Sequence, residues 1–111
     1  MEDGVRDLVR RYEQALEARS VEALKRLWPS LQGGQEAALR QEFSHARRID
    51  VEIANPEITL SGNAATVTFL RRYQLSTVDG QRLLTSSRTT LNARRAGTDW
   101  LIERVRFEAL K

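Results

Sequence analysis

Cysteine is absent and histidine occurs once, at His45, so disulfides, thiolate metal sites, a cysteine nucleophile and a histidine-rich metal cluster are all excluded. Proline is scarce: the two present, Pro29 and Pro56, fall where a regular element should end or be interrupted. Aromatic residues make up only 6% of the chain, so each one carries weight in any account of a core or a pocket. No uninterrupted run of about 18 apolar residues occurs, which excludes a helical membrane span. The opening Met-Glu-Asp-Gly is acidic rather than basic, unlike a secretory leader. A soluble, cytoplasmic protein with no membrane partner is expected.

What remains is ordinary globular composition. The 111 residues are 41% hydrophobic and 30% charged, enough apolar material for one core and too little charge excess for disorder. A single domain over residues 1–111 is expected. The formal charge is +3, unevenly spread: residues 1–60 hold 9 Lys and Arg against 11 Asp and Glu, and residues 61–111 hold 9 against 4. Sixteen of the 18 basic residues are arginine, whose planar fork suits bidentate pairing with carboxylates.

Val5, Leu8, Val9, Tyr12, Ala15 and Leu16 recur at helical spacing, which predicts an amphipathic helix over 3–18. Ser20 is placed to cap a second helix carrying Val21, Leu24, Leu27 and Trp28, with Pro29 ending it. After Gly33-Gly34, the stripe Ala38, Leu39, Phe43 and Ala46 predicts a third helix over 35–47. From Ile49 the period changes to two: Ile49, Val51 and Ile53 alternate with Asp50 and Glu52 until Asn55-Pro56 interrupts.

Ser61-Gly62-Asn63 predicts a turn before a long strand over 65–75. Asp79-Gly80 marks a hairpin to a strand over 82–95, and a turn at 96–99 leads to a last strand over 100–107. Helices first and hairpin-linked strands afterwards read as α+β with an antiparallel meander. Alternation sends Ala65, Val67, Phe69, Arg71, Tyr73 and Leu75 inward, and with them Leu83, Thr85, Ser87, Thr89, Leu91 and Ala93. On the last strand Leu101, Glu103, Val105 and Phe107 compete with Trp100 and Ile102 for the core.

The run from Val9 to Leu24 followed by Leu27-Trp28, with Ser61-Gly62-Asn63-Ala64-Ala65-Thr66-Val67 and the closing Trp100-Leu101-Ile102-Glu103, resembles the nuclear transport factor 2-like superfamily, which includes the ketosteroid isomerases. It is similar to a subgroup found as domains of larger bacterial proteins. The resemblance covers nearly the whole chain and implies a cone: three helices packed in a curved antiparallel sheet that leaves a pocket open at one end. Members of this fold catalyse, bind or associate, so fold alone selects no activity. The resemblance puts Tyr12 at the position of the isomerases' oxyanion-hole tyrosine. Residues 29–34, however, offer no acid at the position of their base, and no carboxyl occurs between Gln81 and Gly97, where their second acid lies.

The expected function is therefore a non-catalytic domain that binds a small apolar or anionic ligand, or an association module. Its ligand-binding residues would be Tyr12, Trp28, Phe43, Phe69, Arg71, Tyr73, Glu103 and Phe107, with no catalytic residue, metal or cofactor. Arg71 is expected to meet Glu103 in an internal ion pair. The alternative is an isomerase or lyase with Tyr12 as electrophile and Glu103 as carboxylate base. Ser44 and His45 are sequence neighbours on a helix, so their side chains should diverge and form no nucleophile and base pair. Arg72, Arg82, Arg88 and Arg94 share the outward sheet face without interleaved aromatics, which disfavours nucleic acid and suits a solvated face or a homodimer formed through the sheet.

Overall fold

A computed structural model describes residues 2–110. Helix α1 (Glu2–Glu17) buries Val5, Leu8, Val9, Tyr12, Ala15 and Leu16, the stripe that the spacing predicts. It ends at Arg19, whose φ of 54° puts a non-glycine residue in the left-handed region. The Arg19 and Ser20 N–H groups donate to the carbonyls of Leu16 (3.0 Å) and Ala15 (3.1 Å), a Schellman closure. The Arg19 guanidinium offsets the strain by donating to the carbonyls of Ala46 (3.0 Å) and Arg47 (2.7 Å), where the sheet begins.

Ser20 caps α2 (Val21–Leu27): its hydroxyl accepts the Ala23 N–H at 3.1 Å. Helix α3 (Gly33–His45) begins and ends two residues before the predicted span. Ala46 thus leaves the helical stripe and starts the first strand. Phe43 is the one residue of α3 that is buried, with Leu39 packed partly buried against the same core, and polar links add to these contacts. Glu36 accepts from Lys25 (3.1 Å) and Arg40 (2.8 Å), and Arg40 also reaches Glu22 (3.3 Å).

The four strands β1 (Ala46–Ser61), β2 (Ala64–Thr77), β3 (Arg82–Ala96) and β4 (Asp99–Ala109) pair antiparallel in chain order, as hairpin connections require. Asn55-Pro56 does not end β1. Asn55 takes a φ of 53°, and the register shifts between Ala54 and Glu57, so the strand passes through a bulge and continues.

The β2 assignment holds: Ala65, Val67, Phe69, Tyr73 and Leu75 are buried, with Arg71 between them. On β3, Ser87, Thr89, Leu91 and Ala93 are buried, but Leu83 is 54% exposed and Thr85 is exposed as well, being expected core positions that the fold leaves open to solvent.

A bulge resolves the competition on β4. Arg104 opposes Asn92 and Ile102 opposes Ala93, which leaves Glu103 unopposed. The extra residue shifts the alternation by one. Trp100 and Ile102 are therefore buried before the bulge and Val105 after it, while Glu103 is expelled. Trp100 lies against the first turn of α1, where Gly4 leaves space for the indole.

Candidate functional site

Between α1, α2, α3 and the inner face of the sheet lies a cavity of about 310 Å³, lined by side chains of every helix, of β2 and of β4. This is at the small end of ligand pockets, which run roughly 300–1,000 Å³. Its walls are Leu16, Leu24, Trp28, Ala38, Leu39 and Phe107. Its polar groups are Tyr12, Gln35, Glu42, Arg71 and Tyr73.

Period-two alternation brings Arg71 and Tyr73 to the inner face of β2, and helical spacing brings Tyr12 over them from α1. The Arg71 Nη1 donates to the Tyr12 hydroxyl at 3.0 Å. The guanidinium also lies between two rings, its Cζ 4.1 Å from the Phe107 centroid and 4.7 Å from that of Tyr73. Its Nε is buried and has no hydrogen-bond partner among the described residues. Tyr73 in turn donates its hydroxyl to a Glu42 carboxylate oxygen at 2.5 Å.

Both phenols are held in the protonated form. Burial pushes the Tyr73 hydroxyl far above its usual range, and the hydrogen bond to Glu42 acts in the same direction. Burial raises Tyr12 too, against the opposing pull of Arg71. Among the described residues neither Arg71 nor Glu42 has an ion pair: each charge is held by a phenol instead.

The structure thus gathers five of the expected site residues, Tyr12, Trp28, Arg71, Tyr73 and Phe107, around one cavity. Phe43 and Phe69 are buried in the hydrophobic core and do not line it. Glu103 is not there either. The β4 bulge turns it away, and its carboxylate meets exposed Arg94 at 3.3 Å. The expected Arg71–Glu103 ion pair is therefore replaced by the contact of Arg71 with Tyr12, and Glu103 is not placed to act as a base in this cavity.

The carboxylate that does face the cavity, Glu42, was not among the expected residues. Gln35, Ala38, Leu39 and Glu42 have the i, i+3, i+4, i+7 spacing of one helix face, the signal that would have located it. Ser44 and His45 also depart from expectation. The Ser44 hydroxyl is 3.3 Å from His45 Nδ1, because both side chains fold back on the Gln41 carbonyl, at 2.7 and 2.9 Å. The pair is exposed, and the Ser44 proton is directed to that carbonyl.

A larger depression of about 410 Å³ lies on the other side of α1 and α2, between Arg11, Ala15, Arg26 and Trp100. It is more open, and Arg11 is already paired with Asp7 at 2.8 Å. It lacks the buried polar groups of the first cavity.

No family model and no curated protein matches the sequence. Solved structures do match. A candidate dehydratase of the nuclear transport factor 2-like family from Streptomyces avermitilis superposes with a TM-score of 0.84 at 14% identity, covering 98% of this chain and 96% of that one. A nuclear transport factor 2-like superfamily protein from Salmonella enterica gives 0.79 at 19% identity, over 93% and 86% of the two chains. An uncharacterised protein with a cystatin-like fold from Caulobacter vibrioides gives 0.79 at 16%, over 99% and 89%. At such identities the likeness is one of architecture, and with helices first, a curved four-stranded antiparallel sheet and matches over nearly the full length, this chain has the nuclear transport factor 2-like fold.

Proposed function

We propose that this is a pocket-bearing, non-catalytic domain that binds a small molecule carrying an anionic group, a carboxylate, next to an apolar body. The carboxylate would meet Arg71, and the apolar body would pack on Leu16, Leu24, Trp28 and Leu39. One observation carries the reading: a half-buried guanidinium in a largely apolar cavity, with a buried Nε lacking a partner and no carboxylate paired to it among the described residues. Such a charge is costly to bury unless something neutralises it, and arginine is suited to planar two-oxygen anions. The rings of Tyr73 and Phe107 and the hydroxyl of Tyr12 hold the group in place before any ligand arrives.

Trp28 lines the cavity and supplies the readout. Titration with 4-ethylbenzoate should change tryptophan fluorescence saturably, whereas the corresponding alcohol should not, and Arg71→Met should abolish the response. Equal responses to acid and alcohol would remove the anion from the proposal.

A second reading, association of two copies through the outer sheet face, is favoured by the charge on that face. Glu57, Thr68, Thr90 and Arg106 form one register row across the four strands, acidic at β1 and basic at β4. Glu57, Arg88, Arg104 and Arg106 are exposed. That row, acidic at one end and basic at the other, is complementary to the same row of a second copy. Sedimentation equilibrium tests this reading: a mass of one chain at every concentration refutes it.

A further inference from the structure

Among the described residues, Arg71 is not the only charge in the cavity without an ion-pair partner. Glu42 lines the same space, partly buried, and its one hydrogen bond among the described residues comes from the neutral Tyr73 hydroxyl. Opposite charges sharing a cavity of low polarity attract strongly and would be expected to pair. Here they do not. Tyr12 holds the guanidinium by its hydroxyl, and Tyr73 touches both charges, its ring against Arg71 and its hydroxyl on Glu42. Trp28, Leu24 and Leu39 surround the space that the two charges share.

From this arrangement we infer that the ligand is dipolar: an amino acid in the broad sense, whose carboxylate meets Arg71 and whose ammonium meets Glu42 across an apolar spacer. The inference rests on the carboxylate reading of Arg71 and adds the second pole. Each half of such a ligand neutralises one of the held charges, and both new contacts are charge-assisted hydrogen bonds. A simple carboxylate of the same shape would neutralise Arg71 and press a methyl group on Glu42, desolvating that carboxylate without return. The site would therefore select for the ammonium as well as tolerate it.

Two probes with the same shape and the same carboxylate separate the possibilities. 4-(Aminomethyl)benzoate carries an ammonium where 4-ethylbenzoate carries a methyl, one ring and one methylene from the acid. Calorimetric titration of the whole chain should give an affinity at least about tenfold higher for the ammonium compound, the scale of one charge-assisted hydrogen bond. Glu42→Gln should erase that preference while keeping or improving the binding of 4-ethylbenzoate. If the two compounds bind equally, or the ethyl compound binds better, and Arg71→Met abolishes both, the dipolar ligand is refuted and the carboxylate reading survives. If neither binds, or Arg71→Met changes nothing, both fall together. A measurement without ligand adds an independent check. A glutamine oxygen still accepts from Tyr73, so Glu42→Gln should keep or raise the melting temperature. A fall of several degrees would make Glu42 a structural anchor and refute its assignment to a ligand.

Discussion

Tyr12 shows how much one hydroxyl does in this molecule. It is almost fully buried and is the hydrogen-bond partner of the Arg71 guanidinium. Tyr12→Phe should lower the unfolding free energy by about 1 kcal/mol in urea titrations, with more lost if the guanidinium finds no other acceptor. It should also weaken binding of 4-ethylbenzoate, because Arg71 loses its anchor. Unchanged stability would mean that the contact contributes nothing. Tyr12, Arg71 and Tyr73 were legible in the sequence because each falls on the apolar phase of its element. Glu42 was not. A glutamate on a helix face reads as solvated until its partner is known, and that partner, the Tyr73 hydroxyl, lies 31 residues away on a strand.

The elements differ in how they are held. Helix α1 is fixed by apolar packing so close that a Cβ on Gly4 would lie 2.7 Å from Trp100 Cδ1. Gly4→Ala should be destabilising by roughly 1–3 kcal/mol from overpacking, reduced by up to about 1 kcal/mol of gained helix propensity. Thermal or urea unfolding decides the sign, and a more stable variant would show that α1 shifts freely.

Helix α3 has less apolar contact, from Phe43 and Leu39, and adds charge to it. Hydrogen bonds from Arg40 and then Lys25 hold the Glu36 carboxyl below its usual range. A carboxyl with a lower pKa folded than unfolded stabilises above its ordinary range and loses that contribution as pH falls through the folded value. Hydrogen-exchange protection of α3 should therefore drop in acid below about pH 4, and Glu36→Gln should flatten that dependence while protecting α3 less at neutral pH. Unaltered protection in the variant would show that the ion pairs do not hold the helix. Since α3 supplies Gln35, Ala38, Leu39 and Glu42 to the cavity, acid should weaken ligand binding before it unfolds the sheet.

For the whole molecule, charge on the outer face restricts how two copies can meet. A two-fold axis parallel to the strands lays β1 of one copy over β4 of the other and sets Glu57 against Arg106, whereas an axis across the strands lays each strand on itself. In a dimer of the first kind, Arg106→Glu should raise the dissociation constant, and adding Glu57→Arg should restore association. Sedimentation equilibrium of the single and double variants measures both. Failure of the double variant to recover would refute this orientation.

Local periodicity settled a great deal of this architecture. Whether a segment's apolar residues recur every three to four positions or every two depends only on neighbours in the chain, so three helices, four strands, most of their faces and the hairpin turns were all legible. Bulges are different. Whether an extra residue is accommodated depends on the strand alongside: of the three register shifts, the one at 46–48 leaves no mark in the pattern, and those at 54–57 and at Glu103 look in the sequence like an interruption and an ambiguity. The last of them expelled the expected carboxylate from the cavity, and the docking of α3 brought in another. The apolar walls of the site follow from short-range pattern; the charges inside it follow from contacts between segments far apart in sequence, which only the folded chain establishes.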